Sequence, residues 1–211
     1  MAVQMEPQPG PPVDAGVEQG VPSSRRAAAL AGHQRDEPLA RRLAGDPDPA
    51  VRATALGALA RMERLTDADL LAALADRDPV VRHRAAELAA TRPGVPLDGA
   101  LSDSDPTVVE AAAWAAGERE DPSFVALLDT VARTHTDPLC REAAVAALGA
   151  IGADAGLAAV LAAAGDKPAV RRRAVIALAA FEGPDVDAAL QRALTDPDRQ
   201  VRQAAEDLLA P

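Results

Sequence analysis

Asp46-Pro47-Asp48-Pro49-Ala50-Val51-Arg52-Ala53-Thr54-Ala55-Leu56-Gly57-Ala58-Leu59 returns, edited, five more times along the chain. Aligned on Arg52, the equivalents are Arg82, Val109, Arg141, Arg171 and Arg202, at steps of 30, 27, 32, 30 and 31 residues. A near-regular period in this range marks a stacked-repeat protein. Each position has a local reason. Asp48, Asp78, Asp105, Asp137 and Asp198 suit helix N-caps, because a carboxylate there accepts from free amides of the first turn. Pro49, Pro79, Pro106, Pro138 and Pro168 then open the helices, where a missing N–H costs nothing.

Three, seven and eleven residues after each cap stand Val51, Ala55 and Leu59, then Val81, Ala85 and Ala89. Later copies give Val108, Ala112 and Ala116; Cys140, Ala144 and Leu148; Val170, Ala174 and Leu178; Val201, Ala205 and Leu209. That spacing draws one apolar stripe along a helix. Its small alanines predict close approach of neighbouring helices. A partner helix precedes each copy: 67–75, a shorter 96–101, 122–133, 153–164 and 185–194. The unit is helix, turn, helix. One such hairpin cannot bury its own apolar face, so its neighbours must stack on it.

The pattern D-x-D-P-x-V-R-x-x-A-x-x-x-L resembles HEAT repeats, and more narrowly the short HEAT-like repeats named after phycobilisome bilin lyases. The resemblance spans about residues 37–211. Four copies keep Asp-Pro and five keep the arginine; Val109, Lys167 and Arg199 depart. The T-P-L-H of ankyrin and the W-x-x-L-G of tetratricopeptide units are missing. The expectation is an all-α, right-handed α-solenoid of about six HEAT-like hairpins. Its second helices start near 49, 79, 106, 138, 168 and 199.

Ahead of the repeats, residues 1–24 are Pro- and Gly-rich with no apolar period and read as a disordered leader; a proline-recognition ligand is the other reading. The repeat domain is expected over 25–211. Within it Ser23 or Ser24 caps a helix over 25–31, and Pro38 opens another to Ala44. Together 25–45 read as a degenerate N-terminal cap.

The chain has 211 residues and a formal net charge of -10, which makes nucleic acid an unlikely partner. Two Phe, one Trp and no Tyr fit a core of Ala, Leu and Val. The single cysteine, Cys140, excludes an internal disulfide and reads as a small buried hydrophobe. No run is long enough for a membrane span and no signal pattern opens the chain, so a cytoplasmic location is expected.

Two sets of residues stand out. The resemblance implies that Arg52, Arg82, Arg141, Arg171 and Arg202 bridge to turn carboxylates of adjacent units. This structural ladder includes Asp48, Asp78, Asp105, Asp137 and Asp198; Asp46, Asp76, Asp103 and Asp196 lie two residues before caps. A row of anion-binding arginines is the competing reading. The second set follows from helical phase, on the face opposite the stripe, which the resemblance makes concave. It comprises His83, Arg84, Glu87, Glu110, Trp114, Glu142, Arg172, Arg173 and Ile176. Trp114 is either a binding hot spot or a space-filler against the next helix. The mixed charges suit another protein or peptide.

No catalytic residue, cofactor or metal site is expected. No His-Glu pair of the deoxyhypusine hydroxylase kind occurs; His33, His83 and His135 fall at different repeat positions. There is no Gly-rich phosphate loop and no serine nucleophile elbow. The expected function is a non-catalytic adaptor or scaffold with a partner on its concave face. The alternative is an enzyme or enzyme subunit of the bilin-lyase or HEAT-like DNA glycosylase type.

Overall fold

The computed structural model describes residues 23–210, and every regular element among them is helical. The helices are α1 (Ser24–Gln34), α2 (Glu37–Leu43), α3 (Pro49–Arg61), α4 (Asp67–Leu74), α5 (Pro79–Ala89), α6 (Asp98–Leu101) and α7 (Pro106–Arg119). They continue with α8 (Val125–Thr134), α9 (Pro138–Ile151), α10 (Leu157–Ala163), α11 (Pro168–Ala177), α12 (Pro184–Ala193) and α13 (Arg199–Leu209). Consecutive hairpins α2–α3 through α12–α13 stack into an α-solenoid. The second helices form a continuous row in which α1, α3, α5, α7, α9, α11 and α13 each pack on the next.

The starts of the second helices follow from their caps. Asp48, Asp78, Asp105 and Asp137 accept from the amides of Ala50, Val80, Thr107 and Leu139. Asp198 accepts from both Gln200 and Val201. Lys167 cannot cap; there the preceding Asp166 takes the Lys167 amide at 2.6 Å.

Some first helices differ from expectation. The segment expected to be one helix over 153–164 begins with a 3-10 turn, Asp154–Gly156, before α10. Pro122–Phe124 does the same before α8. Tight entry turns of this kind are common at helix ends. The short repeat has a one-turn α6, with Val95 and Leu97 fully buried beside it. Residues 25–45 form two helices with different places: α1 lies on α3 in the row of second helices, and α2 pairs with α1 and α3. The expected leader falls mostly on residues 1–22, outside the described residues. Ser23 caps α1 and Ser24 is its first residue.

The stripe is buried along the whole array. Val51, Ala55, Leu59, Val81, Ala85, Val108, Ala112, Cys140, Ala144, Leu148, Val170, Ala174 and Leu178 are all 2% exposed or less. Each fully buried leucine stabilises by roughly 2 kcal/mol relative to exposure. The exception is Leu209, 39% exposed at the end of α13, where no later helix among the described residues covers it.

Small residues set the spacing of the row. A Cβ added to Gly117 would lie 3.0 Å from Ala147 Cα, and one on Gly149 would lie 2.7 Å from Ala177 Cβ. Glycine is used here because the neighbouring backbone occupies the place of a side chain.

The arginines tie successive turns together. Arg52 grips Asp76 with Nε and Nη2 at 2.9 and 2.7 Å, while its Nη1 donates to the Asp46 and Pro47 carbonyls. Arg82 grips Asp103, Arg141 grips Asp166 and Arg171 grips Asp196 in the same bidentate way. Thus each guanidinium joins the carbonyls of its own turn to the carboxylate of the next. Asp48, Asp78, Asp105, Asp137 and Asp198 do not receive these arginines. Their oxygens serve helix amides, and the receiving carboxylates stand two residues before a cap or, for Asp166, next to Lys167. Among the described residues Arg202 reaches only the Asp196 and Pro197 carbonyls. Arg52 is 8% exposed, so the pairs are better shielded than surface ion pairs.

Candidate functional site

α7 sits in the middle of the row and is buried nearly all round. Val108, Val109, Ala111, Ala112, Ala113, Ala115, Ala116 and Gly117 are covered by neighbours. Beyond its first turn, the line it leaves open is Glu110, Trp114 and Glu118, spaced four residues apart. That spacing puts the three side chains one above another on the helix surface. Trp114 is 49% exposed and so does not fill space inside the array.

A groove of about 530 Å³ opens along this line. Its floor is small and apolar: Ala111, Gly117, Ala143, Ala146, Ala147 and Ala150. The Gly117–Ala147 approach brings α7 and α9 together beneath it. Trp114 and the 55% exposed Leu139 supply large apolar walls. Around them stand Glu87, Glu110, Glu118 and Glu142 against Arg173 and His83.

The charged groups divide by pairing. Arg84 holds Glu87 at 2.8 Å, and Arg173 lies 3.4 Å from Glu142. His83 Nδ1 lies 2.9 Å from the Thr107 carbonyl and therefore carries a proton to donate; Nε2 lies 3.5 Å from Glu87. Glu110 and Glu118 make no ion pair or side-chain hydrogen bond among the described residues. The Nε of Arg173 is buried with no hydrogen-bond partner among them.

Of the residues placed on this face from helical phase, the groove gathers His83, Glu87, Glu110, Trp114, Glu142 and Arg173. Arg84 belongs to a separate basic recess of about 300 Å³, with Arg25, Arg61, Thr54 and Gly57. Arg172 points to Gln200 at 3.5 Å, and Ile176 is exposed outside the groove. Leu139 falls on the same face by helical phase and Glu118 among the charges around Trp114, and both line the groove. Glu118 was legible as one helical turn beyond Trp114, and Leu139 as two residues past its cap.

Cys140 lies behind the groove. It is fully buried, its Sγ donates to the Pro106 carbonyl at 3.2 Å, and burial pushes the thiol up to about 11. A nucleophilic thiol needs the opposite shift and access. Among the described residues, no three His, Cys, Asp or Glu side chains converge as metal ligands, and no helix is long and apolar enough to cross a membrane.

The family model for HEAT repeats matches residues 23–90, 95–169 and 130–210. Among solved structures, YibA of E. coli is 17% identical with a TM-score of 0.66, over 91% of this chain and 76% of that one. Human deoxyhypusine hydroxylase, solved in complex with glycerol, is 21% identical over 88% of this chain and 76% of that one, with a TM-score of 0.47. No curated protein sequence matches the chain.

Proposed function

Because the chain belongs to the HEAT-repeat family, whose arrays generally mediate contacts between proteins, we propose that it is a non-catalytic adaptor. It binds a partner protein or peptide in the groove of its second-helix face. The observation that carries this reading is Trp114: large, apolar, half-exposed and walled by Leu139 over an alanine floor. Buried apolar side chains dominate the rest of α7, so an open tryptophan there is not needed for packing. Tryptophan is enriched among residues that dominate binding energy. The groove's volume falls within the range of sites that hold a peptide side chain or two. A duplex-DNA surface requires the opposite sign of charge from four glutamates.

Trp114 is the single tryptophan of the chain, and there is no tyrosine. Its emission therefore reports this site alone. A bound partner shifts that emission saturably, and Trp114→Ala weakens capture of the same partner while leaving helical circular dichroism unchanged. Partners that bind wild type and Trp114→Ala alike would remove the groove from the function.

A further inference from the structure

Within the groove Glu87 and Glu142 have cationic partners, which sets Glu110 and Glu118 apart there. Four arginines are spent on Asp76, Asp103, Asp166 and Asp196, and Arg84 and Arg173 attend Glu87 and Glu142. The two glutamates on either side of Trp114 have no such cation among the described residues. Two carboxylates without a counter-ion, flanking an open indole, form a site for a cation.

We propose that the groove takes a cationic, arginine-bearing segment of a partner protein, with a guanidinium stacked on Trp114 between Glu110 and Glu118. This rests on the docking reading above and specifies its partner chemistry. Successive residues four apart rise about 6 Å along a helix, so either carboxylate lies within reach of a planar cation lying on the ring between them. Arginine fits better than lysine, because its guanidinium stacks on an aromatic face and still presents donors at its edge to carboxylates. The apolar floor and Leu139 accommodate an aliphatic side chain next to the arginine. Glu87 and Glu142 are matched by Arg84 and Arg173, so the surplus negative charge of the groove rests on Glu110 and Glu118 and disfavours acidic segments. The basic recess around Arg25, Arg61 and Arg84 lies farther toward the N-terminus, so the negative potential is local to the α7–α9 centre.

The test is selection from a phage-displayed library of random dodecapeptides on wild type, Trp114→Ala and the Glu110→Gln/Glu118→Gln double variant. Clones that need Trp114 are expected to be enriched in arginine and depleted in aspartate and glutamate relative to the unselected library. The best clone, made as a synthetic peptide, should shift Trp114 emission saturably. Its Kd should weaken about tenfold in the double variant, from the loss of two charge contacts to one cation. Both glutamates are exposed, and unchanged melting of the double variant separates binding from folding. Trp114-dependent clones of neutral or acidic composition would overturn the charge assignment and leave the docking site standing. If no clone depends on Trp114, both fall.

Discussion

Val109 and His135 depart from the repeat together. Val109 stands where the other units carry the arginine, and His135 stands where the next turn would carry the receiving aspartate. The missing pair is thus removed at both ends, leaving neither a stranded guanidinium nor a stranded carboxylate. Val109 is 1% exposed, and His135 Nδ1 accepts the Asp137 amide at 3.1 Å. That is the role Asp76, Asp103 and Asp196 play toward the amides of Asp78, Asp105 and Asp198. At this junction apolar packing of α7 on α9, with the Cys140–Pro106 hydrogen bond, stands in place of the arginine clamp.

Restoring one end without the other should be harmful. Val109→Arg buries a charge with no carboxylate to meet it and should cost about 3 kcal/mol or more. Adding His135→Asp should recover part of that loss. Urea denaturation of the two single variants and the double variant gives the coupling, expected at about 1–3 kcal/mol. A coupling near zero would show that the two positions are independent.

Arg82→Ala leaves Asp103 without its bidentate donor and the Asp76 carbonyl without Nη1. The expected loss is about 2 kcal/mol, since hydrogen bonds to charged groups are the stronger kind. Arg202→Ala should cost less, because Arg202 meets two carbonyls and no carboxylate. Thermal melts followed by circular dichroism should show a clear drop for the first and a smaller one for the second, both from a fully helical start.

Acid should loosen the array. Arg82 holds the Asp103 carboxyl below its ordinary range, and Arg141 and Arg171 do the same for Asp166 and Asp196, with burial opposing in each case. At Asp76 burial pushes upward most strongly, but Arg52 and the Asp78 amide outweigh it. A carboxyl depressed in the folded state contributes stability that is fully present above its unfolded pKa of about 3.9. That stability is lost as pH falls through the lower folded value. Denaturation midpoints should therefore be flat near neutrality and fall below about pH 4. Asp103→Asn should make that acid slope shallower.

Two glycines should respond with opposite sign. Gly149→Ala places a methyl 2.7 Å from Ala177 Cβ and 2.9 Å from its Cα. Forcing α9 and α11 apart should cost about 1–3 kcal/mol. Gly99→Ala meets nothing within 4 Å on α6, so the gain in helix propensity should stabilise by up to about 1 kcal/mol. Comparing the two melting temperatures with wild type checks both signs.

The repeating aspartates, prolines and alanines determined the architecture unaided. Each helix start is a local event between a cap such as Asp105 and the amide two residues on. Each buried stripe is a matter of helical phase within one segment. The single-sided placement of Trp114 was legible for the same reason. What the chain could not disclose by itself was which groups meet across units. Asp76 and Asp78 look alike in sequence, yet one receives Arg52 and the other caps α5, because only stacking brings the neighbouring guanidinium within 3 Å of the first. Likewise, Glu110 and Glu142 share a face, but one is open and the other lies beside Arg173 of the next helix. Local propensity acts over a turn or two of chain. Pairing between hairpins depends on how closely their helices approach, and that distance is set where Gly117 and Gly149 let a neighbouring backbone in.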